Sequence, residues 1–418
     1  MKFDEMRINS ALQNAARRLL SPPASVGELN PAAGLVYVVS LIVPMLGGGV
    51  SSMEPDLQMP FRTKGVRGQL RHWWRLMALA GDFDNLAHIK DAKHNPDSLR
   101  LIECGIWGGI AIVGSPIRSR ITIRISDQKP GRKFPFDSEG SVDSRVRGLE
   151  YLLFPARGPK KSDDEEKAIG KFLIPVGSTF RLDIEVAGGV DIDMIKRVVQ
   201  VWATFGGIGS RTRRGIGAIA VRDAAGHLVT DLTVEGACRT QAISTIHIFP
   251  EGFESGVEAL KPLAKKYHEF RKRMRIGDHS VYPWSAFGMP VQFKTGRGKK
   301  KSECVMSPPN LDRLASPLLL RPVQTALANG QTGYAGVVAQ LALGEHNPPI
   351  SKVELRGSTR DTWLAPAWDL NWRVGGGRGS CGGIAPLEDT VSASTAGQPP
   401  PQDAVTAFLN HIRSSSAT

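Results

Sequence analysis

The chain has 418 residues, 41% of them hydrophobic and 22% charged, enough apolar material for a core spread over two or three domains and too much for a wholly disordered chain. Lys and Arg outnumber Asp and Glu by 53 to 40, a formal charge of +13 with a pI near 9.7; so basic a chain favours a polyanionic partner, because each neutralised phosphate releases condensed counterions. Four cysteines, Cys104, Cys238, Cys304 and Cys381, stand far apart with no CxxC pair, which excludes a standard zinc knuckle and reads as reduced thiols of a cytoplasmic protein.

Residues 1–34 read as an N-terminal extension, in which Lys2, Arg7, Arg17 and Arg18 interrupt the apolar stretch a signal peptide needs. Leu35 to Val43 is a β-rich apolar run that stops at Pro44. It is far short of the roughly twenty residues of a membrane span, so it is expected to be a buried strand. A glycine-rich loop follows at Gly47, Gly48 and Gly49. Gly65 to Leu79 then places Leu70, Trp73, Trp74 and Met77 at helical spacing, with Arg67, Arg71 and Arg75 on another face. Trp73 and Trp74 point about a hundred degrees apart on such a helix; both are read as core, although one could instead stack on a base.

Ile117 to Ser126 alternates Arg118, Arg120, Thr122 and Arg124 against Ile121, Ile123 and Ile125, the pattern of a half-buried strand. From about 127 to 171 lies an insertion whose charged run, Lys160 to Lys167, reads as a solvated loop. Thr179 to Val186 is a further strand, Asp191 to Thr204 a helix with Asp191 as N-cap, and Gly215 to Val221 a last short strand. The order β-α-β-β-α-β over 35–225 is the α+β ferredoxin-like arrangement that RNA-recognition modules also use.

The second half, 240–373, is expected to hold a second, degenerate ferredoxin-like unit with added helices. Ile243 to Phe249 reads as a strand, Val257 to Met274 as a basic amphipathic helix, and Pro290 to Phe293 and Ser316 to Val323 as extended. Tyr334 to Leu343 reads as helical. Residues 374–402 are Gly/Pro-rich linker, and 403–418 close the chain with a short helix and tail.

Three stretches carry chemistry. One runs from Pro44-Met45-Leu46-Gly47-Gly48-Gly49 through Lys64-Gly65-Val66-Arg67-Gly68-Gln69-Leu70-Arg71-His72-Trp73-Trp74-Arg75. The next is Phe205-Gly206-Gly207-Ile208-Gly209-Ser210-Arg211-Thr212-Arg213-Arg214-Gly215-Ile216-Gly217, and the last is Arg313-Leu314-Ala315-Ser316-Pro317-Leu318. In order and spacing they resemble the motif blocks of the RAMP superfamily, and within it the family of first subunits of type III-B (Cmr) CRISPR effectors. Weaker echoes are Ile106-Trp107-Gly108-Gly109, Gly148 to Phe154, and Phe287-Gly288-Met289-Pro290. The likeness spans about 35 to 323.

That resemblance implies a structural RNA-binding subunit that caps a crRNA-guided complex at the 3′ end of the guide and helps capture target RNA. It implies crRNA, target RNA and other RAMP subunits as partners, with no membrane, cofactor or metal. It points to Gly47, Gly48, Gly49, Arg62, Lys64, Arg67, Gly68, Arg71, His72 and Arg75 in the first stretch, and to Gly207, Gly209, Ser210, Arg211, Arg213 and Arg214 in the second. Physical chemistry supports these residue types. Arginines four apart stack on one helical face and can track successive phosphates, although such a triplet is ordinarily a solvated face. Gly65 and Gly68 keep the helix start bare for a backbone to approach. Glycines interleaved with forked guanidinium donors suit phosphate, and the same composition also makes a plain connecting loop.

The densest basic run, Lys265 to Arg275, adds Arg271 and Arg273 as RNA-binding residues; a second run spans Lys294 to Lys301. His72 stands where an aromatic or apolar residue is expected, which raises the rival reading of an endoribonuclease that processes guide precursors. It has no evident second histidine or tyrosine partner, and the chain is read as non-catalytic. Asp56 is read as a solvated turn residue rather than a cleavage carboxylate. A third reading, an adaptor binding only protein, would need both arginine-glycine blocks to face other subunits.

Overall fold

Strand β1 (Ala33–Leu41) turns Tyr37, Val39 and Leu41 to one face, and two amphipathic helices cover that face. The computed structural model describes residues 33–51, 54–83, 96–110, 116–136, 144–156, 170–232, 237–273, 291–295, 302–307, 315–326, 332–342, 352–356 and 362–366, with 408, 409 and 412. Outside them lie almost all of the N-terminal extension, the Lys160–Lys167 run, Phe287–Pro290, Arg297–Lys301, Arg313–Leu314 and the linker 374–402.

After β1 come a short β2 (Met45–Leu46), helix α1 (Thr63–Ala80) and helix α2 (Pro96–Trp107). Then follow β3 (Gly109–Ile110), β4 (Pro116–Ile117), β5 (Ile121–Lys129), β6 (Phe134–Pro135), β7 (Phe172–Ile174), β8 (Thr179–Val186), α3 (Ile192–Phe205) and β9 (Ile219–Asp223). The four long strands form one antiparallel sheet in the order β5-β8-β1-β9. With α1 and α3 on one side, this is the ferredoxin-like order that the sequence predicts. The Asp191 carboxylate accepts the Asp193 N–H at 2.8 Å, so the expected N-cap of α3 forms. Trp73, Trp74 and Trp202 are buried between helices and sheet, where each large side chain contributes roughly 2–3 kcal/mol. Both tryptophans of α1 are therefore core.

The outer face of the sheet carries Val36, Val38, Thr122, Arg124, Arg181, Asp183, Glu185 and Arg222. Arg124 pairs with Glu185 at 2.7 Å and Arg181 with Asp183 at 2.8 Å. No aromatic ring stands on this face among the described residues, so it lacks the stacking platform of RNA-recognition modules.

The second half begins with β10 (Ile243–Phe253) and α4 (Gly256–Arg273), continues through β11 (Val291–Thr295) and β12 (Ser302–Ser307), and forms the hairpin β13 (Leu318–Ala326) and β14 (Thr332–Leu341). β15 (Lys352–Arg356) and β16 (Thr362–Pro366) extend a separate sheet in the order β11-β12-β15-β16. The order β10-β14-β13, with α4 against β13 and β14, reproduces three strands and one helix of the ferredoxin-like pattern.

β14 is a correction: the expected helix at Tyr334–Leu343 is a strand. It is buried on both faces, with Val337, Ala339 and Leu341 in the first core and Val338 in the second. A doubly buried strand has no alternation, so its apolar run mimics a buried helix. The insertion at 127–171 is also more than a solvated arm. Phe134, Phe136, Leu149, Leu152 and Leu153 are buried with Leu260, Leu263, Phe408 and Ile412 in the second core.

Candidate nucleic-acid interface

The first two motif stretches meet at β2. Beyond Leu46 the chain turns through Gly47 and Gly48, both at positive φ, and a Cβ on Gly48 would stand 2.9 Å from the Pro60 carbonyl oxygen. From the other side, Gly209 has φ +84, and a Cβ there would lie 2.5 Å from the Leu46 oxygen. Only glycine permits that dihedral and that approach together. The contact is then sealed by the backbone. Ser210 N–H donates to Leu46 O at 2.8 Å, Gly217 N–H to Pro44 O at 3.0 Å, and Ile208 N–H to Gly217 O at 2.9 Å.

The second and third stretches meet through arginine. Arg213 donates to the Ser316 carbonyl, and Arg214 donates to Leu318 O at 3.0 Å while its guanidinium lies 4.7 Å over the Tyr267 ring. Burial pushes Arg213 down to about 10, so it remains a cation at neutral pH, and burial lowers Arg214 as well. Beneath them Arg321, fully buried on β13, donates to Thr204 O at 3.0 Å, Ala203 O at 3.3 Å and Ile219 O at 3.4 Å. Those carbonyls flank the loop at the end of α3 and the start of β9, so one guanidinium closes its base and faces the negative end of a helix dipole. Sequence reasoning missed Arg321, and an arginine inside an apolar strand, Leu318-Leu319-Leu320-Arg321, was its signal.

Arg211 differs from its neighbours. It is exposed, sits at φ +62, and its guanidinium makes no hydrogen bond or ion pair among the described residues. Arg62 and Lys64, at the start of α1, are also exposed and likewise form no ion pair among the described residues. Pro60 touches the Gly48 turn, so the first turn of α1 adjoins the joined glycine loops. Three cations thus accompany a glycine-walled surface that admits close approach.

The α1 arginines share a face, as their spacing requires, but that face is turned inward rather than left as an open track. Arg67 donates to Trp107 O at 3.2 Å, Ser119 Oγ at 2.8 Å and Ile121 O at 3.1 Å. Arg71 pairs with Glu103 and donates to Gly108 O at 3.1 Å. Arg75 grips the same carboxylate at 2.6 and 3.0 Å and keeps 44% of its side chain exposed. Glu103, on α2, is only 2% exposed. That helix is absent from the sequence reading, although Leu99, Ile102 and Ile106 recur at helical spacing.

Gly65 and Gly68 are exposed, and a Cβ at either position would meet nothing within 4 Å. His72 is half-buried, its ring edge-on to Trp73 at 5.9 Å. Burial, with Arg213 and Arg75 nearby, pushes its pKa down to about 4, so it is neutral at pH 7. Asp56 accepts the N–H groups of Gln58 and Met59 at 2.9 and 3.2 Å, a turn closure. Arg271 lies against Tyr267, its guanidinium 5.7 Å from the ring, and the side chain of Arg273 falls outside the described residues. Among the described residues no group of His, Cys, Asp or Glu could hold a metal ion, and no helix is long and apolar enough to cross a membrane.

Residues 39–220 match the family model "RAMPs: RAMP superfamily". No curated protein sequence matches the chain. Among solved structures, Cmr1 from Pyrococcus furiosus in its apo form is 19% identical, covering 74% of this chain and 88% of that one at a TM-score of 0.40. A chain of the type III-B Cmr-beta bound to cognate target RNA is 12% identical, covering 81% and 97% at a TM-score of 0.41.

Proposed function

We propose, from the premise that residues 39–220 form a RAMP-superfamily domain, that this chain is an RNA-binding, non-catalytic subunit of a type III-B CRISPR effector. In this reading it caps the complex at the 3′ end of the guide and helps hold target RNA beside neighbouring RAMP subunits. Base pairing supplies the sequence choice, and the protein supplies backbone contacts. The observation that carries the reading is the meeting of Gly47–Gly49 with Gly209–Arg211, beside the exposed cations Arg211, Arg62 and Lys64. Glycine lets a phosphodiester backbone come close, and the three cations neutralise it. A non-catalytic role accords with His72, a neutral imidazole flanked by arginines, with no carboxylate among the groups that shift its pKa.

Affinity for single-stranded guide RNA, measured from low to high salt, tests the proposal. Binding is expected to fall with a log–log slope near −0.7 per phosphate contact, and Lys64→Glu combined with Arg211→Glu is expected to flatten that slope by about two contacts. RNA affinity independent of salt, or unchanged in the double variant, would overturn the assignment of this surface.

A further inference from the structure

The insertion and α4 build an aromatic cluster that the RNA-binding role proposed for the joined glycine loops leaves unused. Tyr151 stacks on His268 with ring centroids 4.3 Å apart and planes 20° from parallel. Tyr267 lies 6.0 Å from Tyr151, tilted, and carries Arg214 and Arg271 against its ring. The Tyr151 hydroxyl lies in the electrostatic field of Arg271, Arg214 and Arg211. His268 is exposed, Tyr151 is half-buried, and Lys265, one helical turn before His268, is also exposed.

The outer member of this ring stack, His268, is exposed, and guanidinium groups lie against the neighbouring Tyr267 ring. Tyr151 packs against the second core, with Tyr267 and Phe408 beneath it, and this packing accounts for Tyr151 but not for the exposed imidazole stacked on it. We infer that Tyr151 and His268 form a stacking platform for an unpaired base of single-stranded RNA, with Arg211 and Arg271 holding the flanking phosphates. This rests on the RNA-binding reading and adds a second contact to it.

The chemistry favours RNA over a protein partner. Every nucleobase has a π face, so a base can stack on the exposed His268 imidazole without regard to sequence. The guanidinium groups alongside match phosphate oxygens in geometry as well as charge. Arg211 belongs both to the glycine loop and to the field around Tyr151, so one strand passing Gly209–Arg211 has a short path to the platform. A paired duplex has its bases stacked inside and offers none to such a surface. The ligand class is therefore an unpaired nucleotide adjoining the strand that the glycine loops hold.

The test uses the full chain and short single-stranded RNA carrying 2-aminopurine at one scanned position. At one register, binding is expected to quench the fluorophore by stacking. His268→Ala is expected to remove most of that quench and weaken affinity about tenfold. His268→Phe, which keeps a ring and lacks the imidazole nitrogens, is expected to restore the quench. His268→Ala also loses the ring contact to Tyr151, so its melting temperature, measured alongside, is expected to fall slightly, whereas His268→Phe should hold both the melting temperature and the quench. Salt-dependent RNA binding with no quench at any register, or a quench untouched in His268→Ala, would overturn the platform and leave RNA binding intact. Absence of RNA binding at low salt would overturn the RNA-binding reading itself, and the platform with it.

Discussion

The Ser210 backbone N–H donates to the Leu46 carbonyl at 2.8 Å, and this bond joins two glycine blocks that lie far apart in sequence. Around it the roles of the loop arginines divide. Arg213 and Arg214 are committed to the carbonyls of Ser316 and Leu318, whereas Arg211 is exposed at a left-handed backbone position. Shape and charge are thus assigned to different residues of a single short loop.

Arg211→Gly separates those duties. Glycine relieves a left-handed dihedral that costs a branched-out side chain about 1 kcal/mol, so urea unfolding is expected to show unchanged or slightly raised stability. RNA affinity is expected to drop several-fold, because a desolvated phosphate loses its guanidinium. Arg213→Gly should behave in the opposite sense, unfolding at lower urea because the Ser316 carbonyl loses its donor.

Gly68 offers a comparable separation on α1. A Cβ there would meet nothing within 4 Å, and alanine in a helix interior is more favourable than glycine by up to about 1 kcal/mol. Gly68→Ala is expected to raise the melting temperature. If the bare start of α1 receives an RNA backbone, the same variant should bind RNA more weakly, a combination that loss of folding cannot produce. Equal affinity in a stabilised variant would remove Gly68 from the interface.

The ferredoxin-like unit is legible in the sequence because its signals are local. Asp191 caps its own helix, the isoleucines of β5 alternate within a few residues, and Pro44 ends an apolar run. What is not legible depends on residues distant in the chain. Nothing near Arg67, Arg71 or Arg75 indicates that Glu103 and the Trp107–Ile121 carbonyls will claim them. Likewise β14 reads as a helix because cores on both of its faces erase the alternation that marks a strand. The first two motif stretches are specific only when taken together, and the convergence of all three at Leu46–Ser210 and Arg213–Ser316 is a property of the fold.

Glu103 is the hinge of the arginine face. Its buried carboxylate binds both Arg71 and Arg75, whose side chains are 29% and 44% exposed. Glu103→Gln keeps the shape and removes the charge, so unfolding is expected to cost roughly 1–3 kcal/mol less. The arginines can then reorient into water, and affinity for RNA should rise if their distance from the strand is short. A loss of stability with no change in RNA affinity would mark Arg71 and Arg75 as purely architectural.

His72 links stability to pH in a way that also bears on catalysis. Its pKa of about 4 in the folded protein lies below the ordinary 6.5 of the unfolded chain. Between those values the unfolded state binds the proton and the folded state does not, so stability is fully present above pH 6.5 and falls as pH drops towards 4. The loss from this one group is roughly 2–3 kcal/mol across the window. His72→Gln cannot protonate, so its stability should fall less than that of the parent chain over the same range; the difference between two urea titrations, at pH 7 and pH 4.5, isolates the group from the carboxylates. An imidazole this hard to protonate is a poor proton donor at neutral pH. Labelled repeat RNA incubated at pH 7 with either protein, with and without divalent metal, should therefore remain uncut. A single defined cut by the parent chain that disappears in His72→Gln would make the protein a ribonuclease.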